Sequence, residues 1–256
     1  MSKLPQITLA FWVMKICATT LGETAGDLLS MTLDIGYALS SLLLIGLFLV
    51  SLFGQLRTRR YQPALYWTVI LMTSTAGTTL SDFMDRTLGL GYASGAALLV
   101  TLLLLVLASW WLSEKSLAVD NISTRRGELF YWGAILVSNT LGTALGDYLA
   151  DDSGLGFAGG ALLIGSLLAV VALAYFYTRV SRVALFWMAF VLTRPFGATM
   201  GDVLTKSADK GGLDLGTIGS STVLAAVLVA MVCFTLWSQR QAQRLAPAAL
   251  YDDSRV

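Results

Sequence analysis

Eight apolar runs, each close to the roughly 20 residues a helix needs to cross a bilayer's hydrocarbon core, make up most of this chain. They fall near 8–29, 36–54, 63–83, 91–112, 129–149, 156–178, 183–204 and 216–237. Lipid offers no hydrogen bonds, so runs of this length must satisfy their own backbone groups and are predicted to be helices. Charge points the same way. Only 13% of the 256 residues are charged and 56% are apolar, whereas soluble domains carry about 25% charge. The mean hydropathy is +0.71. The first run is too long for a signal peptide, carries Lys15 and matches later helices position by position, so it belongs to the fold.

The connections between runs alternate in charge. One set holds Lys3, Arg57, Arg59, Arg60, Lys115, Arg125, Arg126, Arg179, Arg182, Arg240, Arg244 and Arg255; the other holds only Arg86, Lys206 and Lys210 among many carboxylates. By the positive-inside rule, both termini and the basic loops are expected in the cytoplasm of a bacterial inner (plasma) membrane, with 239–256 a short cytoplasmic tail. A net charge of +1 and the lack of a basic low-complexity tail give no footing to a nucleic-acid partner. Cys17 and Cys233 sit in apolar runs and read as small core residues rather than a disulfide. With no histidine and no cysteine cluster, imidazole–thiolate zinc and copper sites are excluded.

Internal repetition sharpens the picture. Trp12, Trp67, Trp132 and Trp187 stand 55, 65 and 55 residues apart, and ten residues after each comes Gly22, Gly77, Gly142 or Gly197. Each glycine opens a hexapeptide ending in aspartate: GETAGD at 22–27, GTTLSD at 77–82, GTALGD at 142–147 and GATMGD at 197–202. A second marker begins the even runs: GYALS at 36–40, GYASG at 91–95, GFAGG at 156–160 and GTIGS at 216–220. The last copy is displaced by five residues around Lys206–Gly212. The expected architecture is all-α: a single transmembrane domain over 1–256, a polytopic membrane helix bundle of eight transmembrane helices. Four tandem parallel two-helix repeats, near 5–58, 60–115, 125–179 and 180–238, would give it pseudo-fourfold (two-plus-two) symmetry, because units of two spans all share one orientation.

Four tandem two-helix repeats, each with one tryptophan, resemble a bacterial integral membrane protein family known mainly as a repeat of unknown function. The resemblance covers nearly the whole chain. It implies the fold and the topology and supplies no activity.

Small residues four apart, such as Gly22/Gly26 and Gly142/Gly146 on odd helices and Gly36/Ser40 and Gly91/Gly95 on even ones, read as close helix–helix seams. Positions four apart share a helical face, and on the odd helices one face is polar. It reads Thr19–Glu23–Asp27, then Ser74–Thr78–Asp82, Asn139–Thr143–Asp147 and Arg194–Ala198–Asp202, with Lys15 one turn below the first. If the repeats pack about a common axis, these stripes converge. The substrate- or ion-binding set is then Glu23, Asp27, Asp82, Asp147, Asp202, Thr19, Thr78, Asn139 and Thr143, the five carboxylates being the metal ligands, with Arg194 and Lys15 as counter-charges.

Each feature also has a plainer reading. The aspartates can be solvated carboxylates at the membrane interface, although a carboxylate at a helix C-terminus opposes the macrodipole. Glu23 and Arg194 lie deep in their runs, where an unpaired charge costs at least a few kcal/mol. They form either a structural ion pair or a switchable one. Lys15 can snorkel, the tryptophans can anchor the interface, and Pro195 is expected to kink or locally open the seventh helix.

The function expected is transport, with export one direction, of a hard divalent cation such as manganese, coupled to protons. Carboxylate, hydroxyl and amide oxygens suit such ions. Two alternatives stand beside it: a small-anion or organic-solute transporter using Arg194, and a non-transport structural or sensory membrane protein. An enzyme is not expected, since there is no nucleophile elbow or P-loop and the short tails and 113–128 loop leave no room for a catalytic domain. No resident cofactor is expected. The partners expected are the lipid bilayer and a small inorganic cation.

Overall fold

The structure, a computed structural model, describes residues 4–119, 122 and 124–252. Lys3 and Arg255 of the basic set lie outside the described residues, as do the side chains of Lys210 and of residues 242–252, Arg244 among them. The described chain is all helical: α1 (Leu9–Asp27), α2 (Tyr37–Arg57), α3 (Pro63–Asp82), α4 (Tyr92–Glu114), α5 (Arg125–Asp147), α6 (Gly156–Tyr177), α7 (Arg182–Thr205) and α8 (Thr217–Asp252). Five of them, α2, α4, α6, α7 and Thr217–Gln241 of α8, are long and apolar enough to cross a membrane. The tail expected from 239 onward continues α8 as helix to Asp252.

Odd and even helices do different work. Helices α1, α3, α5 and α7 pack in a closed ring, each on the next and α7 on α1. Each even helix leaves its own repeat and covers the following odd helix: α2 on α3, α4 on α5, α6 on α7, and α8 back on α1. The outer faces of the even helices carry exposed leucines, valines and phenylalanines, such as Leu42, Val50, Leu104, Leu162 and Phe176. Cys17 is buried but Cys233 is exposed. The expectation of two core cysteines is corrected for Cys233, which lies on the outward face of α8.

The ring closes through the glycines of the odd helices. A methyl group added at Gly22 would meet Ser74 of α3, and one at Gly77 would meet the Asn139 backbone of α5. At Gly142 it would meet Arg194 of α7, and at Gly197 it would meet Thr19 of α1. All four approaches are closer than 3.0 Å, so these glycines are the seams that small residues allow in a membrane. The even helices correct half of the expectation. Gly36, Gly91, Gly156 and Gly216 have φ of +80, +72, +67 and +69 and nothing near their missing side chain. They are turn glycines, chosen because a side chain is strained at positive φ. Only their partners four residues on, Ser40, Gly95, Gly160 and Ser220, are buried.

That turn is one motif used four times. Two residues before each of these glycines, Asp34, Gly89, Gly154 and Asp214 also have positive φ, between 54° and 77°. In the first three repeats the odd helix reaches it through a π turn, at Leu28–Thr32, Phe83–Thr87 and Tyr148–Asp152. Leu33, Leu88 and Ser153 there donate to the carbonyls of Leu28, Phe83 and Tyr148 at 2.8, 2.9 and 2.9 Å. In the fourth, α7 ends at Thr205 and the five extra residues form a loop with a short 3₁₀ turn, Ala208–Lys210. Helix α7 continues through Pro195 as α-helix on both sides. The proline ring packs against Gly142.

Candidate ion-binding site

Counting by fours along α1 from Phe11 to Asp27, and along the equivalent residues of α3, α5 and α7, yields five tiers stacked down the middle of the ring. At about 1.5 Å per residue, neighbouring tiers are about 6 Å apart. The tiers are Phe11/Tyr66/Tyr131/Phe186, Lys15/Ile70/Ile135/Phe190, Thr19/Ser74/Asn139/Arg194, Glu23/Thr78/Thr143/Ala198 and Asp27/Asp82/Asp147/Asp202. Every one of these residues is buried except the half-buried Phe186. Contacts between opposite sides of the ring show that the tiers meet: Lys15 of α1 reaches Asn139 of α5, and Arg194 of α7 reaches the Ser74 carbonyl of α3. The polar stripes face inward.

The first tier is an aromatic collar. Each of its members precedes a repeat tryptophan and stacks on the tryptophan of the next repeat: Phe11 on Trp67, Tyr66 on Trp132, Tyr131 on Trp187 and Phe186 on Trp12. With the four within-pair contacts, the eight rings form a closed circuit with centroid separations from 5.1 to 6.5 Å. Tyr66 and Tyr131 share a hydrogen bond of 2.7 Å between their hydroxyls. The tryptophans were expected to anchor the interface. Instead Trp67, Trp132 and Trp187 are buried and Trp12 half-buried, because edge-to-face packing within each pair and mostly tilted packing on the next repeat's ring offer each tryptophan more contact than a headgroup region does. The Phe-Trp and Tyr-Trp dipeptides at 11–12, 66–67, 131–132 and 186–187 carried the missed signal.

Lys15 is the one charged group in an otherwise apolar second tier. Its ammonium is fully buried, donates to Asn139 Oδ1 at 3.3 Å and sits 4.1 Å from the centre of the Phe190 ring. The snorkelling reading is corrected: the side chain has no exposed surface and its ammonium is held by Asn139 and an aromatic face, which attracts a cation. Asn139 is fixed in turn by donating to Thr73 Oγ1 and Ser74 Oγ, at 2.9 and 3.3 Å.

The third and fourth tiers are held by one guanidinium. Arg194 Nη1 donates to Glu23 Oε2 at 3.0 Å and to the Thr19 carbonyl at 3.2 Å. Nη2 donates to the Ser74 carbonyl, to Thr143 Oγ1 and to Thr78 Oγ1. Thr78 and Thr143 donate onward to Glu23 Oε2 at 3.1 and 3.3 Å. All four helices of the ring therefore meet at this pair. Arg194 is fully buried and Glu23 nearly so, which is tolerated because the two charges neutralise each other and hydrogen bonds to hydroxyls and carbonyls replace water around them. Arg194 Nε has no hydrogen-bond partner among the described residues. The Thr19 hydroxyl is spent on backbone carbonyls of Lys15, Ile16 and Thr193, so Thr19 contributes its carbonyl to the site.

The aspartate tier is buried and paired, not solvated. Asp27, Asp82, Asp147 and Asp202 are 5%, 2%, 4% and 2% exposed. In the first three repeats the chain coils on past the aspartate as a π turn, so the residue does not face water at a helix end. Two cations clasp the four carboxylates. Arg86 bridges Asp82 and Asp147 at 3.1 and 3.5 Å; Lys206 bridges Asp202 and Asp27 at 3.2 and 3.1 Å. Each clasp sits four residues after its own aspartate, where the other repeats have Met31 and Asp151. The spacing was readable in sequence. The bridge to a second repeat was not. Burial alone would lower the Lys206 pKa, but Asp202 and Asp27 more than offset it and hold it above its ordinary value.

Of the five expected metal ligands, three converge. Glu23, Asp147 and Asp202 each offer an oxygen, and these lie within 4.8 Å of one another, all buried. Asp27 and Asp82 are not in that group. They contact Lys206 and Arg86, as Asp202 and Asp147 also do. Three hard oxygens at this spacing match the donor set of a hard cation or of shared protons.

Compared with known proteins, four consecutive segments, 10–61, 65–116, 130–181 and 185–241, match the repeat described as Repeat of Unknown Function (DUF347). No curated protein and no solved structure matches the chain.

Proposed function

The chain belongs to this repeat family of unknown function, and from that footing we propose that it is a membrane transporter for a hard cation. The convergence of Glu23, Asp147 and Asp202 carries the reading. Charge supports it. The five tiers and their clasps hold five carboxylates against four cationic groups, Arg194, Lys15, Arg86 and Lys206. In a low-dielectric interior an excess carboxylate calls for a proton or a metal cation. One excess negative charge takes up one proton. A divalent ion such as manganese that exchanges with protons at Glu23 fits the inventory once one of the four cationic groups withdraws.

We further propose that all eight helices span the bilayer about a pseudo-fourfold axis. Helices α1, α3 and α5 have 19, 20 and 23 residues, and they owe their lower hydropathy to polar faces turned toward the ring, away from lipid. With the termini and basic loops cytoplasmic, the aromatic collar closes the cytoplasmic half and the carboxylates face the outer side.

The test is flux in proteoliposomes with a panel of divalent ions including manganese and a lumenal pH dye. Cation uptake with opposing proton movement, abolished in Glu23→Gln, is the expected result; no flux from folded protein would sink the reading. Arg194 Nε, without a hydrogen-bond partner among the described residues, favours one competitor, a small-anion transporter. In that case Arg194→Ala abolishes anion flux. A structural or sensory role predicts that Glu23→Gln changes stability alone.

A further inference from the structure

We propose that Lys206 is a tethered occupant of the cation site, an ammonium that holds Asp202 and Asp27 until an entering cation displaces it. This rests on the cation reading above and names the residue that selects among cations. Lys206 Nζ lies 3.2 Å from Asp202 Oδ1 and 3.1 Å from Asp27 Oδ2. Asp202 is also one of the three carboxylates that converge with Glu23 and Asp147. A positive charge already sits at the edge of the site, and a cation bound there competes for the same carboxylate.

The second clasp is held differently. Arg86 has its two carboxylates and also donates to the Tyr37 hydroxyl at 3.1 Å, with the rings of Tyr37 and Tyr92 at 5.9 and 5.7 Å. A planar guanidinium in such a setting is fixed at several points. Among the described residues the Lys206 ammonium contacts only its two carboxylates; both side chains are partly exposed, Lys206 24% and Arg86 30%. Its base is anchored. The Lys206 amide donates to the Asp202 carbonyl at 2.8 Å, and its carbonyl accepts from Asp214 at 3.0 Å. Leu213 donates to Val203 at 2.7 Å, and Gly212 packs on the Lys206 carbonyl. Only the side chain has to swing.

Tethering confers selectivity. A group on a short flexible stem acts at an effective concentration on the order of millimolar. A free monovalent cation offers the carboxylates no more charge than the lysine does, so it displaces the tether poorly. A divalent ion shared among Glu23, Asp147 and Asp202 has twice the charge and more oxygen ligands, and it wins.

The experiment is thermal unfolding of the purified full-length protein in detergent, as wild type, Lys206→Met and Lys206→Arg. Each is titrated with manganese chloride and separately with ethylammonium chloride, with sodium chloride holding ionic strength constant. Lys206→Met is expected to reach half-maximal stabilisation at roughly tenfold less manganese than wild type, and Lys206→Arg to need several-fold more. Ethylammonium should stabilise Lys206→Met and leave wild type unmoved. Equal manganese midpoints in all three proteins overturn the proposal, as does ethylammonium acting alike on wild type and Lys206→Met. If manganese stabilises none of them while ethylammonium still rescues Lys206→Met, the tethered occupant stands and the divalent reading falls. If neither probe stabilises any of the three, both fall.

Discussion

Arg194 Nη1 and Glu23 Oε2 lie 3.0 Å apart, 171 positions apart in the chain, where all four odd helices meet at a single side chain. The fourth repeat supplies the cation and the first the anion. The hydroxyls of the second and third, Thr78 and Thr143, bridge them. The pair breaks the internal symmetry and at the same time ties the four repeats together.

Removing one partner should therefore cost more than removing both. Glu23→Ala or Arg194→Ala strands a buried charge, at a cost of about 3–5 kcal/mol, while a paired Glu23→Gln/Arg194→Met replacement recovers much of it. Unfolding in mixed micelles, read as a double-mutant cycle, measures this. Additive losses would mean the two charges do not depend on one another.

The glycine seam separates two classes of substitution. Alanine at Gly22, Gly77, Gly142 or Gly197 drives a methyl group into the neighbouring helix and should destabilise by about 1–3 kcal/mol. Alanine at Gly46 or Gly133, which have open space around them, should be neutral or stabilising by up to about 1 kcal/mol. Melting temperatures of the six variants decide it, and equal losses in both classes would contradict the seam.

The Tyr66–Tyr131 hydrogen bond closes the collar between the second and third repeats. Tyr66→Phe and Tyr131→Phe should each cost about 1 kcal/mol, and the double variant little more, because either single change already breaks the bond. Trp132→Ala, which removes a buried ring of the collar, should cost about 3–5 kcal/mol. It should also admit a cytoplasmic-side thiol reagent to a cysteine introduced at Ile135. Protection of that cysteine in Trp132→Ala would show that the collar is not the barrier.

The Lys206 clasp has a definite pH signature. Its folded pKa is raised above the ordinary 10.5 by Asp202 and Asp27, against the opposing effect of burial. A raised cationic pKa contributes stability that is fully present below the unfolded value and is lost only as pH rises through the folded value. The stability advantage of wild type over Lys206→Met should thus hold steady from about pH 8 to pH 10. Denaturation curves across that window check it, and a steady decline would place the ammonium outside the carboxylate clasp.

Sequence alone determined the helices, the four repeats and the polar stripe on each odd helix, because each is a local pattern; that the stripes face inward was decided by the packing. Apolar length sets a span, the interval from tryptophan to glycine to aspartate marks the copy, and four-residue spacing marks a face. It also picked out Glu23 and Arg194, since a charge deep in an apolar run has few ways to survive. Tertiary structure alone decided which residues meet. The same spacing that makes Gly22 a seam occurs at Gly36, yet one packs on Ser74 and the other turns the chain at positive φ. Three of the five carboxylates converge, while Arg86 and Lys206 each bridge one of these three to a carboxylate outside the group. The rings of Phe11, Tyr66, Tyr131 and Phe186 close one end because each reaches the next repeat's tryptophan. Those outcomes depend on how one helix is set against another, and periodicity along a single helix does not encode the distance to its neighbour.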